Sequence, residues 1–183
     1  MTDFRYKPDG EVVKAFMKDD TFFRGIRGPV GSGKSVSCCV EIFRRALAQE
    51  PNKKGIRRSR WAIIRNTNPQ LKTTTIKTWL DWFPEEDWGK FTWSVPYTHM
   101  IRKGELELEV LFLALDRPED VKKLLSLELT GIWVNEAREP QKRITGGLLC
   151  LAKCQYPIIY HANKLRCWSN LTTGRFILSP AAW

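Results

Sequence analysis

The stretch GPVGSGKS at positions 28–35 has the residue types and spacing of a phosphate grip. Gly28, Gly33, Lys34 and Ser35 satisfy G-x-x-x-x-G-K-[ST], with Pro29, Val30, Gly31 and Ser32 between them. Glycines let the chain curl so that several backbone N–H groups converge on one anion, and a helix N-terminus behind them adds a favourable dipole. Lys34 is expected to reach the β- and γ-phosphates of a nucleotide, and the Ser35 hydroxyl to ligate Mg2+. The competing reading is an ordinary glycine turn. A credible strand before the loop and a credible helix after it favour the grip.

Such a grip needs a second acidic element on a neighbouring strand. LEVLFLALD ends at Asp116, and GIWVNEA leads into Asn135-Glu136. The second fits better, because a buried strand delivers a carboxylate to the sheet's carboxyl edge, where ligands of α/β sheets bind. Glu136 is then the candidate general base. Asn135 is the candidate Mg2+ contact through water, in a position where an aspartate is usual. The plain alternative for Glu136 is an acidic strand end, and Asp116 is expected to open the next loop or cap its helix.

The elements that must position these groups follow from pattern. TFFRGIR (21–27) is β-rich, and KSVSCCVEIFRRALAQE sets Val36, Val40, Phe43 and Leu47 at helical spacing. KKGIRRSR (53–60) reads as a basic loop and WAIIRN (61–66) as a buried strand. Asn68-Pro69 opens a helix carrying Leu71, Ile76, Trp79 and Leu80 near one face. Residues 91–103 and 106–115 form two extended runs joined by KGE, and a helix is expected from Pro118 to about Leu127. Strand and helix alternating in this way predict an α/β fold with a mostly parallel central sheet flanked by helices.

Bulk composition bounds the rest. The 183 residues suit one domain, and 43% hydrophobic with 11% aromatic content excludes disorder. Thirty Lys+Arg against twenty Asp+Glu give a net charge of +10, which favours a polyanionic partner such as nucleic acid or else a merely solubilising surface. Five cysteines form no CxxC pair, and the chain shows neither a secretory leader nor an apolar run long enough for a membrane, which points to a reducing cytosol.

FRGIRGPVGSGKSVSC, WAIIRNTNPQLKTTTIKTWLDWFP and LTGIWVNEARE, in that order, resemble the ATPase half of the large terminase subunit of tailed bacteriophages. The resemblance spans about residues 1–145 and implies a P-loop NTPase using ATP and Mg2+. It implies a motor that drives double-stranded DNA into a procapsid, in the cytoplasm of an infected bacterial host. It also implies a homo-oligomeric ring on the portal protein, a small terminase subunit as partner, and no membrane. Arg65 matches the arginine of the family's middle segment, where it would contact the nucleotide or relay its state; a salt-bridging strand-end arginine is the plain alternative. Arg138 is a candidate contact to a neighbouring subunit. The loop 53–60 could grip DNA phosphates or simply be solvated, and the tryptophans are expected to pack. Phe23 and Arg24 could approach the base or belong to the core.

From residue 140 onward there is no carboxylate in 44 positions, while six Lys/Arg remain. The expected division is therefore a P-loop ATPase domain at 1–145 and an atypical tail at 146–183. On this reading the fold is incomplete at the C-terminus and the nuclease half absent. The family's coupling triplet, expected on the strand after Glu136, has only weak candidates in HAN (161–163) and SNL (169–171). The alternatives are another nucleic-acid-dependent P-loop ATPase, or an inactive nucleotide-binding terminase fragment.

Overall fold

The computed structural model describes residues 4–116, 120, 124 and 126–136, and the backbone of 158–162 and 175–178. Its centre is an eight-stranded sheet in the order β3-β4-β5-β2-β6-β7-β1-β8. The strands are β1 (Phe23–Arg27), β2 (Arg57–Arg65), β3 (Phe91–Thr92), β4 (Tyr97–Lys103), β5 (Leu106–Ala114), β6 (Gly131–Asn135), β7 (Ile158–Ala162) and β8 (Arg175–Leu178). All pairings from β5 through β8 are parallel, and β3–β4 and β4–β5 are antiparallel. The expected mostly parallel α/β sheet is what forms.

Helices α1 (Gly10–Lys18) and α2 (Lys34–Leu47) flank β1 in sequence. After β2 one helical run is built from α3 (Asn68–Gln70), a π-helical stretch (Leu71–Ile76) and α4 (Lys77–Trp82), with α5 (Glu85–Trp88) following. Period-2 alternation along the strands divides the core. Trp61, Ile63, Phe112 and Trp133 face α2 and α4, while Ala62, Ile64, Leu111, Ile132 and Val134 form the core of the opposite face. Gly131 pairs with Trp61 across the β2–β6 ladder, and a Cβ there would stand 2.5 Å from the indole ring. Only glycine lets so large a ring lie over β6.

Three expectations change. The buried face of α2 centres on Cys38, Cys39, Ile42 and Ala46, while Leu47 is 46% exposed, because α2 packs against the sheet and α4 together. The basic run is half strand: Arg57, Arg58 and Arg60 lie in β2 and meet Glu105, Glu107 and Glu109 at 3.7, 2.7 and 2.8 Å. Three of its five cations are thus partnered by carboxylates, which parallel pairing of β2 with β5 brings alongside. Residues 158–162 and 175–178, within the stretch read as an atypical tail, supply both ladder neighbours of β1. The helix expected from Pro118 falls largely outside the described residues, though Asp120 and Leu124 are helical.

Candidate nucleotide site

The loop from Gly28 to Gly33 joins the carboxyl end of β1 to the first turn of α2. Gly31 and Gly33 sit at φ +80° and +72°, left-handed conformations that side-chain-bearing residues rarely adopt. Gly33 is the N-cap of α2, and its carbonyl receives the Ser37 N–H at 2.9 Å. The Ser37 hydroxyl donates to the Lys34 carbonyl at 2.8 Å. Gly28 is buried at the strand end, Pro29, Val30 and Gly31 are exposed, and Ser32 and Ser35 are half-buried. Lys34 is only 5% exposed. Its ammonium donates to the Pro29 carbonyl and, at 2.9 Å, to the Ser32 hydroxyl, so it lies inside the loop's own curl. Burial pulls the Lys34 pKa down, and the charge of Glu136 pushes it partly back.

The carboxyl ends of β6, β7 and β1 are level. Asn135 is paired with His161, and the next residue of β7, Ala162, with Arg27. Two inter-strand spacings, roughly 10 Å, therefore separate the end of β6 from the start of the glycine-rich loop. Asn135 follows Trp133 by two residues and so shares its α2-side face. It is 3% exposed, and its Nδ2 donates to the Thr75 hydroxyl at 2.9 Å. Its Oδ1 is buried with no hydrogen-bond partner among the described residues. Glu136 is 7% exposed and has φ +58°, the only non-glycine residue with positive φ among those described. Such a conformation costs about 1–2 kcal/mol in an L-residue and gathers at functional sites.

Arg65 ends β2, one residue beyond the Ile64–Val134 pair, and so flanks the Asn135–Glu136 corner. β2 stands three spacings from β1, roughly 14 Å, so Arg65 borders the site from the β6 side. Asp116 follows β5, one strand farther out, away from the loop. Arg24 is fully buried in an ion pair with Glu41 and belongs to the core. Arg138 and the SNL triplet lie outside the described residues; of HAN, His161 and Ala162 close β7. Thr75 was not singled out in the sequence, where it is one of three consecutive threonines and nothing marks which of them turns inward. Among the described residues no cluster of His, Cys, Asp and Glu could hold a metal by itself. Two cavities, of about 500 and 580 Å3, are lined from β5, β4 and β2 and lie away from the loop.

No sequence-family model matches the chain, and no curated protein matches it. Solved structures do. The chain is similar to the large terminase ATPase domain of Thermus phage P74-26 at 18% identity and TM-score 0.58, covering 89% of this chain and 68% of that one. It is similar to a large terminase from a thermophilic bacteriophage at 11% identity and TM-score 0.67, covering 91% of this chain and 43% of that one. The N-terminal domain of the DNA packaging ATPase of bacteriophage phi29 matches over 96% of both chains, at 12% identity and TM-score 0.55. This chain thus spans less than half the length of the second of these proteins. The likeness is one of fold: the chain has the fold of phage DNA-packaging ATPase domains.

Proposed function

We propose that this chain is the ATPase motor domain of a viral DNA-packaging terminase, coupling ATP hydrolysis to movement of double-stranded DNA into a procapsid. The observation that carries the reading is the level sheet edge that sets a glycine-rich loop at the N-terminus of α2 and the buried, positive-φ Glu136 after β6 one intervening strand apart.

The loop residues Gly28, Pro29, Val30, Gly31, Ser32 and Gly33 would wrap the phosphates with backbone N–H groups, Lys34 turning from the Pro29 carbonyl to the β/γ-phosphates. An octahedral Mg2+ that keeps several waters and takes phosphate oxygens needs only one or two protein groups. The Ser35 hydroxyl and the orphaned Asn135 Oδ1 fit that need. When bound, the ion neutralises charge that develops on the phosphates. Glu136 accepts a proton from the attacking water, whose oxygen bonds the γ-phosphorus as the bond to the ADP oxygen breaks. Arg65 flanks this corner and stabilises or reports the nucleotide state.

A ring of copies on a portal protein, with a small terminase subunit choosing the DNA, in the cytoplasm of an infected bacterium, is the setting in which such a motor works. Among the described residues no helix is long and apolar enough to cross a membrane. The test is ATP turnover by the purified chain with and without linear duplex DNA. Lys34→Ala should abolish nucleotide binding and turnover. Glu136→Gln should keep binding and lower turnover by about 10²–10⁴-fold, the usual contribution of a general base. Duplex DNA should stimulate the wild type. Turnover that survives both substitutions would end the proposal.

A further inference from the structure

A carboxylate presents an oxygen whichever way it is turned, but an amide does not. Rotating the Asn135 side chain by half a turn about its last bond would replace an acceptor with an N–H2 group facing a cation. An asparagine in this position therefore needs a partner that can take its N–H2 group while a cation draws the oxygen; a hydroxyl, which accepts as well as donates, can do so. Its Nδ2 donates to Thr75 Oγ1 at 2.9 Å, with Asn135 3% and Thr75 1% exposed, while Oδ1 remains buried and unpartnered among the described residues. Thr75 lies in the π-helical stretch Leu71–Ile76, a local geometry frequent at functional sites. Of the four threonines in the run, Thr73, Thr74 and Thr78 donate back to the carbonyl four residues earlier, at 2.9, 2.6 and 2.9 Å. Thr75 points inward instead, on the buried stripe with Leu71, Ile76 and Trp79.

We infer that Thr75 is a positioning residue whose hydroxyl accepts the Asn135 Nδ2–H while the amide oxygen turns to magnesium-bound water, so that a neutral side chain serves where a carboxylate is usual. The inference rests on the nucleotide–Mg2+ reading of the site. It is chain-specific: with aspartate at 135 either carboxylate oxygen would serve, and the hydroxyl would matter little.

The readout is the affinity of the full chain for a fluorescent ATP analogue with and without Mg2+, taken as a ratio, beside the melting temperature. Thr75→Val should lower the ratio about tenfold, the lower end of what loss of an outer partner does to metal affinity. Thr75→Ser should keep it within about twofold. In an Asn135→Asp background, Thr75→Val should change the ratio by less than about twofold, which makes the pair strongly non-additive. A purely structural Thr75 would move the melting temperature and both affinities together, leaving the ratio fixed. An unchanged ratio in Thr75→Val, an equal loss in Thr75→Ser, or an equal loss in the Asn135→Asp background would each overturn the inference. Should Thr75→Val not fold, Thr75→Ala, which also removes the hydroxyl, takes its place in the two backgrounds. If the wild type binds the analogue through Lys34 but ignores Mg2+, this inference falls and the nucleotide reading stands; if Lys34→Ala binds as well as wild type, the nucleotide reading itself falls.

Discussion

Arg24 carries a guanidinium into the interior, and its partners explain why that is tolerated. It pairs with Glu41 at 2.7 Å, donates to the carbonyls of Phe16 and Asp19, and lies 5.0 Å from the centre of the Phe16 ring. Glu41, itself fully buried, also accepts from Arg44 and Arg45 at 2.7 and 2.8 Å. The Arg24 guanidinium thus ties β1 to α1, through the Phe16 and Asp19 carbonyls, and to α2, through Glu41. The two ends of the pair are not equivalent. Glu41→Leu leaves a fully buried guanidinium without its counter-charge and should cost about 3–5 kcal/mol. Arg24→Met leaves Glu41 with two partly exposed arginines and should cost about half as much. Denaturant unfolding of the two variants checks the order, and a larger loss in Arg24→Met would refute this account. Burial alone would raise the Glu41 pKa, but the hydrogen bonds from Arg44 and Arg45 and the charge of Arg24 outweigh it and hold the value below 4.5. A depressed carboxylate stabilises the fold above its unfolded pKa. That contribution is lost as pH falls through the lower folded value, so Glu41→Gln should flatten the acid limb of the stability curve below about pH 4.5.

Between elements, His99 joins β4 to α4 and to the turn after α5. Its Nδ1 accepts the Trp79 indole N–H at 2.8 Å, and its Nε2 lies 2.8 Å from the Gly89 carbonyl. That arrangement satisfies the neutral ring completely: Nε2–H donates and Nδ1 accepts. A second proton would set two N–H groups against each other. Burial accordingly lowers the His99 pKa, with the Gly89 carbonyl and Glu85 opposing. The folded state then binds fewer protons than the unfolded one, so this contribution is whole above about pH 6.5 and declines as pH falls below it. Thermal melts at pH 7.5 and 5.0 should show a larger drop for wild type than for His99→Gln. At pH 7.5 the variant should lose no more than about 1 kcal/mol, because an amide can accept from Trp79 and donate to Gly89. Equal pH dependence in both proteins would remove the role from His99. The elements themselves were largely legible: the strand before the glycines, the helix after them, the antiparallel β4–β5 pair and the strand into Asn135-Glu136 follow from period and turn residues. Less legible were the extent of β2, whose Arg57–Arg60 look like a loop until Glu105–Glu109 are laid beside them, and the inward turn of Thr75. Both depend on partners distant in sequence.

Across the whole molecule, the glycine-rich loop hangs from a strand that has no ladder partner among the described residues of 4–136. Phe23–Arg27 pairs with Ile158–Ala162 on one side, and Arg24–Arg27 with Arg175–Leu178 on the other. The run IIYHA is short and apolar, with no periodicity to separate strand from helix, and the stretch around it lacks the carboxylates that punctuate the first 139 residues. Composition changes near residue 140, and the sheet draws two further strands from beyond that point. Without β7 the level edge from Asn135 to Arg27 has no middle, and β1 would be left with unpaired backbone groups on both sides beneath α1 and α2. A chain ending at residue 145 should consequently lose cooperative thermal unfolding and bind a fluorescent ATP analogue at least tenfold more weakly than the full chain. A chain ending at 178 retains both strands and should match the full protein in melting temperature and affinity. If the 145-residue chain melted cooperatively and bound the analogue as tightly as the full chain, the strands after Glu136 would be an appendage and the boundary drawn by composition a true domain edge. The two truncations, measured side by side, separate a sheet that needs its last strands from one that merely carries them.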